Sequence, residues 1–127
     1  MERAQVEAWL GDYIEAWRSN ERERIAALFT DDARYRYYPQ EEAIVGGEAI
    51  AQSWLDDPDE PGSWTASYEP VAVDGDTAVA TGESVYTDPD GSLRGAYDNC
   101  FVIRFADDGR CREFVEYYVK RPQTADA

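Results

Sequence analysis

Residues 97–119 read YDNCFVIRFADDGRCREFVEYYV, two apolar runs joined by the dipeptide Asp108–Gly109. Asp-Gly between alternating apolar residues is a strong short-range signal for a β-hairpin. If this dipeptide forms a two-residue loop, the side chain of Phe101 lies opposite that of Glu116. The stretch therefore predicts a long antiparallel hairpin and indicates which of its side chains share a face.

Both faces of the predicted hairpin are largely apolar. One face carries Tyr97, Asn99, Phe101, Ile103, Phe105, Phe114, Glu116 and Tyr118. The other face carries Cys100, Val102, Val115, Tyr117 and Val119. Since both faces are too apolar to be fully exposed to solvent, we expect one face to pack against the helices and the other to pack against a second copy of the chain. The sequence therefore predicts a homodimer.

The two cysteines are expected to be free thiols. In the predicted register Cys100 lies opposite Tyr117 and Cys111 opposite Ala106, which separates the cysteines by about 20 Å at ~3.3 Å per residue. A disulfide needs Cα atoms within roughly 7 Å of each other. Free thiols are typical of a reducing compartment, which favours a cytoplasmic location.

The rest of the C-terminal half repeats the same pattern of strands and turns. Runs at 64–73 and 77–87 are rich in Val, Thr and Tyr, and the dipeptides Asp74–Gly75 and Asp90–Gly91 separate the strands. Such runs bounded by turn residues are typical of antiparallel strands. We therefore expect a meander of four strands.

The N-terminal half has helical periodicity. Apolar residues at positions 6, 9, 10, 13, 14 and 17 form one stripe of a helix. A second, shorter helix that includes Ile25 and Phe29 is expected to end at residues 30–32, before a strand that stops at Pro39. A third helix is predicted over 48–55. Helices followed by antiparallel strands indicate an α+β domain.

The composition excludes several classes of function. Twelve basic and 27 acidic residues give a formal net charge of −15, and the chain has no histidine. This charge disfavours nucleic acid and anionic membranes as partners. We expect no membrane span, no signal peptide and a single domain over 1–127. Without histidine, nucleotide-binding motifs or metal-ligand spacings, we also expect no metal and no cofactor.

Glu116 is the strongest candidate for catalysis, because the predicted register places its carboxylate among Phe101, Phe114 and Tyr118. Burial would raise the pKa of this carboxyl group and suit it to acid–base chemistry near neutrality. Asn99 lies diagonally across and is expected to orient Glu116 or to hold a substrate oxygen. The sequence leaves open a structural alternative, in which Glu116 pairs with an arginine or bonds to a neighbouring tyrosine.

A set of aromatic side chains is predicted to line a pocket. Aromatic residues at helical and strand spacing form either a filled core or the wall of a cavity, and a buried tyrosine hydroxyl needs a partner. We therefore expect a small apolar or aromatic organic ligand. The predicted wall consists of Tyr13, Trp17, Tyr35, Tyr37, Trp54, Tyr86, Phe101 and Tyr118.

Five motifs, spread over nearly the whole chain, accompany the predicted order of helices and strands: Tyr13–Trp17, Ile25–Ala33, Gly46–Ile50, Asp108–Arg110 and Glu116–Tyr118. With these motifs, the chain resembles the SnoaL-like branch of the nuclear transport factor 2-like superfamily. The resemblance implies a cone-shaped fold, with N-terminal helices packed on a curved, mainly antiparallel sheet. Members include ketosteroid isomerases, polyketide cyclases, dehydratases and epoxide hydrolases, so the fold alone does not name a reaction.

The resemblance to ketosteroid isomerases extends to one catalytic group. Tyr13 corresponds to their oxyanion-hole tyrosine, which implies that its hydroxyl donates a hydrogen bond to a developing oxyanion. Their catalytic aspartate corresponds to Tyr37 or Tyr38, and their second oxyanion-hole acid corresponds to Phe101. Steroid isomerisation by that mechanism is therefore not expected.

The similarity to epoxide hydrolases implies two acids, Glu116 and Glu83, with Tyr35 positioning a water molecule. The arginine and asparagine of that pattern are replaced here by Thr81 and Tyr37. The face on which Glu83 lies depends on a turn whose length is ambiguous by one residue. The sequence thus predicts a small-molecule pocket with proton-transfer, hydration or cyclisation chemistry, or alternatively a non-catalytic ligand-binding or dimerisation module.

Overall fold

The order of helices and strands in residues 1–122 largely follows the sequence prediction, with three helices in the N-terminal half and four long strands in the C-terminal half. A computed structural model describes residues 1–122, and residues 123–127 of the expected domain lie outside that range. The described residues form α1 (Arg3–Ser19), α2 (Arg22–Ala26), β1 (Phe29–Arg36), β2 (Ile44–Val45), α3 (Gly47–Asp56), β3 (Trp64–Asp74), β4 (Thr77–Thr87), β5 (Leu93–Phe105) and β6 (Cys111–Lys120).

Helix α1 forms because its apolar stripe is buried. Val6, Trp9, Leu10 and Tyr13 all lie in the core, as their spacing predicts. The helix ends where Asn20 adopts a left-handed conformation with φ 53°, which asparagine tolerates better than most residues. This ending turns the chain at one end of the sheet, where the candidate site lies.

The second helix is shorter than predicted. Helix α2 stops at Ala26, and Phe29 begins β1 instead of continuing the helix. Strand β1 pairs in parallel with β6, opposite Cys111, and the backbone N–H of Cys111 donates to the carbonyl of Leu28 at 2.8 Å. This long-range pairing overrides the local helical pattern. The prediction that Phe29 is helical was therefore wrong.

The strands of residues 1–122 form one six-stranded sheet in the order β2-β1-β6-β5-β4-β3. Every neighbouring pair is antiparallel except β1 and β6. The register of the last hairpin is confirmed over most of its length, with Phe101 opposite Glu116. This α+β arrangement, with N-terminal helices against a mainly antiparallel sheet, is the predicted fold class.

The turn of the last hairpin differs from the prediction. The N–H of Ala106 donates to the carbonyl of Arg110 at 2.8 Å, and Gly109 has φ 89°. The loop therefore has three residues, and Cys111 lies opposite Phe105. A bulge beside Arg104 compensates for the extra loop residue and restores the predicted pairing. Both cysteines are free thiols, as predicted.

The inner face of the sheet and the helices enclose an aromatic core. Phe101, Ile103, Phe105 and Phe114 are nearly inaccessible to solvent. The outer face is more open, since Tyr117 and Val119 are 47% and 69% exposed. Within residues 1–122 no helix has the length and apolar character required to cross a membrane.

Candidate functional site

A cavity of about 480 Å³ opens between the helices and the inner face of the sheet. Helix α1 supplies Tyr13 and Trp17, and α3 supplies Ser53 and Trp54. Aromatic side chains provide more than half of the lining residues, namely Tyr13, Trp17, Tyr35, Tyr37, Tyr38, Trp54, Tyr68, Tyr86 and Tyr118. The volume suits a small organic molecule.

Glu116 projects into this cavity from β6 and is held by a short chain of hydrogen bonds. The side-chain amide of Asn99 donates to Oε2 of Glu116 at 2.7 Å. The hydroxyl of Ser84 donates to Oδ1 of Asn99 at 3.1 Å, which fixes the orientation of the amide. Asn99 is only 7% exposed. The carboxylate therefore has a defined position at the cavity wall.

The environment of Glu116 raises its pKa from 4.5 to about 7. Burial is the main cause, because it disfavours the charged form, and the hydrogen bond from Asn99 opposes it by favouring the carboxylate. Arg112 pairs instead with Asp76 at 2.8 Å, and Arg18 pairs with Glu15. No ion pair within the described range includes Glu116. The carboxyl group can therefore both accept and donate a proton near neutral pH.

The negative charge of Glu116 contributes to a raised pKa at five tyrosine hydroxyl groups. Burial is the largest cause of their raised pKa values, and the nearby carboxylate adds to it. The five are Tyr13, Tyr35, Tyr37, Tyr68 and Tyr86. Their hydroxyl groups remain protonated at neutral pH and are available as hydrogen-bond donors. Glu116 is thus surrounded by neutral O–H groups rather than by cations.

Two of these hydroxyl groups form a buried pair. The hydroxyl oxygens of Tyr13 and Tyr35 lie 3.4 Å apart, and either can donate to the other. Tyr13 is 6% exposed and Tyr35 is 1% exposed. Because a hydroxyl pair shares one hydrogen bond, the second proton has no acceptor within residues 1–122. Both residues line the cavity, so this proton is available to a ligand oxygen.

Stacked rings hold the cavity wall in place. The ring of Tyr35 stacks on that of Phe114 with centroids 4.8 Å apart. Trp17 stacks on Trp64 with centroids 3.5 Å apart, and its indole N–H donates to Oδ2 of Asp59 at 2.9 Å. The hydroxyl groups of Tyr37 and Ser53 lie 2.8 Å apart. These contacts favour a preformed cavity.

Residues 10–114 match a family model described as a SnoaL-like domain. The chain belongs to the SnoaL-like family. It is also similar to the crystal structure of a ketosteroid isomerase-like protein from Erwinia carotovora atroseptica SCRI1043, with 21% sequence identity and a TM-score of 0.66. That alignment covers 95% of this chain and 98% of the other, and at this identity it shows the fold alone. No curated protein matches the chain. The predicted family and fold are confirmed.

Most of the site residues predicted for this SnoaL-like chain lie together. Those that line the cavity are Tyr13, Trp17, Tyr35, Tyr37, Trp54, Tyr86, Glu116 and Tyr118. Asn99 lies behind Glu116 and contacts its carboxylate. Phe101 does not line the cavity, because Tyr68 covers it with ring centroids 4.5 Å apart.

Glu83 does not lie in the cavity, contrary to its predicted role in ligand binding. It pairs across the sheet with Asp98, the neighbour of the inward-facing Asn99. Because side chains alternate along a strand, Asp98 and Glu83 point to the opposite face. There the carboxylate of Glu83 pairs with Arg121 at 2.8 Å. The ambiguous turn before β5 is the source of this error.

Several lining residues of the SnoaL-like chain were not predicted. Tyr68 shares a face of β3 with Trp64, and the β3–β4 register would have identified it. A Cβ at Gly82, directly opposite, would lie 2.6 Å from the Tyr68 ring, so glycine leaves the space that this ring occupies. The unpredicted loop residues are Asn20, Tyr38, Glu41, Asp57 and Asp59. Loops carry no periodicity from which their placement follows.

Proposed function

We propose that this SnoaL-like chain binds a small organic ligand in its aromatic cavity and that Glu116 exchanges a proton with that ligand. The observation that carries the proposal is the environment of the Glu116 carboxyl group. It has a pKa of about 7, faces the cavity and is oriented by Asn99. A group of this kind supplies general acid–base catalysis near neutrality.

Each polar group at the site has a role in this proposal. Glu116 removes a proton from a carbon next to a carbonyl group, or from an attacking water molecule, and later returns it. Asn99 is a positioning residue, because it contacts Glu116 rather than the ligand. Tyr13 and Tyr35 offer an O–H donor to the oxygen on which negative charge develops. Proton transfer and hydration are the reaction types that these groups support.

A general assay does not require the natural substrate. Aromatic ketones that bind, as judged by ligand-observed NMR, are incubated with the protein in D₂O, and deuterium incorporation next to the carbonyl is measured. The proposal expects incorporation above the buffer rate for at least one ketone. Glu116→Gln should abolish it, while the matched control Glu83→Gln on the opposite face should retain it.

The outcomes separate catalysis from binding. Incorporation that persists in Glu116→Gln would overturn the role of Glu116. Binding of several ketones without exchange in the wild-type chain would favour the non-catalytic ligand-binding module. The open cavity and the absence of an ion pair at Glu116 within residues 1–122 argue against a merely structural carboxylate.

We also propose that the chain forms a homodimer through the outer face of the sheet. Tyr117 and Val119 are exposed on this face, next to the partly exposed Cys100, Val102 and Val115. An apolar strip across two adjacent strands is typical of an interface. Sedimentation equilibrium should give twice the chain mass at micromolar concentration, and Val119→Asp should shift it toward the monomer. A monomeric wild-type chain would contradict this proposal.

A cytoplasmic location is the remaining part of the proposal. Its support is the pair of free thiols, which persist in reducing compartments. Burial also raises the pKa of the Cys111 thiol, which protects it from reaction. Fractionation of source cells should recover the protein with the cytoplasm, and recovery from an oxidising compartment would contradict this inference.

A further inference from the structure

The wall of the cavity carries negative charge that its own residues do not balance. Glu41, Asp57 and Asp59, which we call the acidic rim, line the cavity together with Glu116. No arginine or lysine of residues 1–122 lines it. An anionic ligand would meet only like charges there. A cationic ligand would meet opposite charges throughout.

Neutral donors hold two carboxylates of the acidic rim in place. The indole N–H of Trp17 donates to Asp59 at 2.9 Å, and the backbone N–H of Tyr37 donates to Oε1 of Glu41 at 2.9 Å. Within the part of the chain that the structure describes, no ion pair includes a residue of the rim. The carboxylates of Asp59 and Glu41 are therefore held in place, and no ion pair among residues 1–122 neutralises the charge of the rim.

Two helix C-termini add to the negative potential. Asn20 is the C-cap of α1 and Asp57 is the C-cap of α3, and both residues line the cavity. Helix α1 carries Arg18 in its last turn, where it pairs with Glu15. The C-terminus of a helix carries a partial negative charge and favours cations. Helix α3 has no basic residue in its last turn and is followed by an aspartate, an arrangement that destabilises an isolated helix. A bound cation would relieve this repulsion.

The aromatic walls suit the same kind of ligand. A cation over the face of a tryptophan or tyrosine ring is attracted by the ring quadrupole. The outer side of one wall residue already has such a contact, because the guanidinium of Arg94 lies 5.4 Å from the ring centroid of Tyr86. Trp17 and Trp54 present aromatic surface to the cavity. A quaternary or protonated nitrogen is the group that such walls recognise.

The buried tyrosine pair independently indicates a ligand with an oxygen atom. One hydroxyl proton of Tyr13 or Tyr35 has no acceptor within residues 1–122, although both side chains are more than nine-tenths buried. A carbonyl or hydroxyl oxygen of a ligand would satisfy it. Within the described range no acidic cluster is arranged to hold a metal ion, so an organic cation fits the rim better than a bare metal.

We propose that the ligand of this cavity is an organic cation, an amine or quaternary ammonium on a small aromatic body that also carries a neutral oxygen group. The nitrogen lies at the acidic rim, and the oxygen reaches Tyr13 and Tyr35. This inference rests on the proposed function of the same cavity and specifies the chemical class of its ligand.

Three para-substituted phenols, of which the first two have the same shape, test the inference by isothermal titration calorimetry. They are the (4-hydroxyphenyl)trimethylammonium ion, its neutral isostere 4-tert-butylphenol and the anion 4-hydroxybenzoate. The expected result is at least about 10-fold tighter binding of the cation than of the neutral isostere, because cation–π and carboxylate contacts add. The anion should show no binding at millimolar concentration.

Two double variants locate the source of the preference. Asp57→Asn with Asp59→Asn should reduce the preference for the cation to about twofold or less, since the charge next to the nitrogen is removed. Glu69→Gln with Asp74→Asn removes the same charge from exposed positions of β3 outside the cavity, and it should leave the preference unchanged. An equal loss in both double variants would overturn the inference, because net charge alone would then explain the preference.

The probes also separate this inference from the proposed function. Equal or tighter binding of the neutral phenol would overturn the cation preference and leave the cavity as a ligand site. Failure of all three probes to bind at millimolar concentration would contradict both.

Discussion

Replacing Glu116 by glutamine should make the protein more stable at high pH and leave its stability almost unchanged at low pH. The carboxyl group has a pKa of about 7 in the folded chain and 4.5 as its ordinary value. A raised pKa in the folded state means that ionisation opposes folding, so stability is lost as the pH rises from about 4.5 through 7. Glutamine never ionises, and it still accepts the hydrogen bond that Asn99 donates.

The pKa difference gives the magnitude. At about 1.4 kcal/mol per pKa unit, the rise from 4.5 to about 7 corresponds to about 3 kcal/mol in the free energy of unfolding once Glu116 is fully ionised. At roughly 4 °C per kcal/mol for a chain of this size, the variant should melt roughly 10 °C above the wild type at pH 8. At pH 4.5 the two proteins should melt within about 2 °C of each other.

Thermal and urea denaturation of both proteins between pH 4.5 and 8 measure this difference. Both proteins share all other carboxylates. The difference between their free energies of unfolding at each pH therefore removes the contribution of those carboxylates. Glu69→Gln, at an exposed position, is the matched control and should show no such growth with pH. Removing one partner of a buried ion pair costs about 3–5 kcal/mol. If the variant were less stable than the wild type at pH 8 by that amount, the conclusion that the Glu116 carboxylate is buried without an ion-pair partner would be refuted.

Two further predictions concern residues around the site. Asn99→Leu should raise the pKa of Glu116 above 7, because the hydrogen bond from Asn99 is the contact that lowers it. The loss of stability with rising pH still begins near the ordinary pKa of 4.5, but it should become larger and continue to a higher pH than in the wild type; a lower pKa of Glu116 would contradict this. Gly82→Ala should destabilise by about 1–3 kcal/mol in urea denaturation, because the new Cβ would lie 1.9 Å from the carbonyl oxygen of Ser67. Gly11→Ala in α1 is the control, because a Cβ at this position would have no atom within 4 Å. This substitution should stabilise the protein by about 0.5–1 kcal/mol. Equal effects at both glycines would refute the steric argument.

The sequence predicts the last hairpin well because two constraints coincide there. An Asp-Gly turn limits the possible registers, and the alternation of apolar residues selects among them. The turn is nevertheless one residue longer than predicted, and a bulge beside Arg104 compensates. The pairing of Phe101 with Glu116 therefore holds although the turn was wrong.

Non-local pairing explains the errors of the sequence reasoning. Phe29 has a helical pattern around it, yet its backbone pairs with a strand more than 80 residues away. Glu83 has no local feature that distinguishes the two faces of β4. The carboxylates of Asp57 and Asp59 reach the cavity from a loop, where no periodicity indicates direction.

The negative charge of the cavity wall could also not be predicted from the sequence. An excess of acidic residues is normally a property of the solvated surface. Which carboxylates line the cavity depends on how the loops after β1 and α3 fold over the end of the sheet. In the described part of the chain, Glu116 has no cationic partner because Arg18 pairs with Glu15 and Arg112 pairs with Asp76.

The most direct test is a site-specific titration of Glu116 by NMR of protein carrying ¹³C-labelled glutamate, with Glu116→Gln assigning the side-chain carboxyl resonance. The account predicts a midpoint near 7, well above the ordinary 4.5. It also predicts that a neutral phenol bound in the cavity moves this midpoint upward, because the ligand displaces water from the carboxylate. A midpoint at or below 4.5 would show an ionised, solvated or paired carboxylate and would contradict the account.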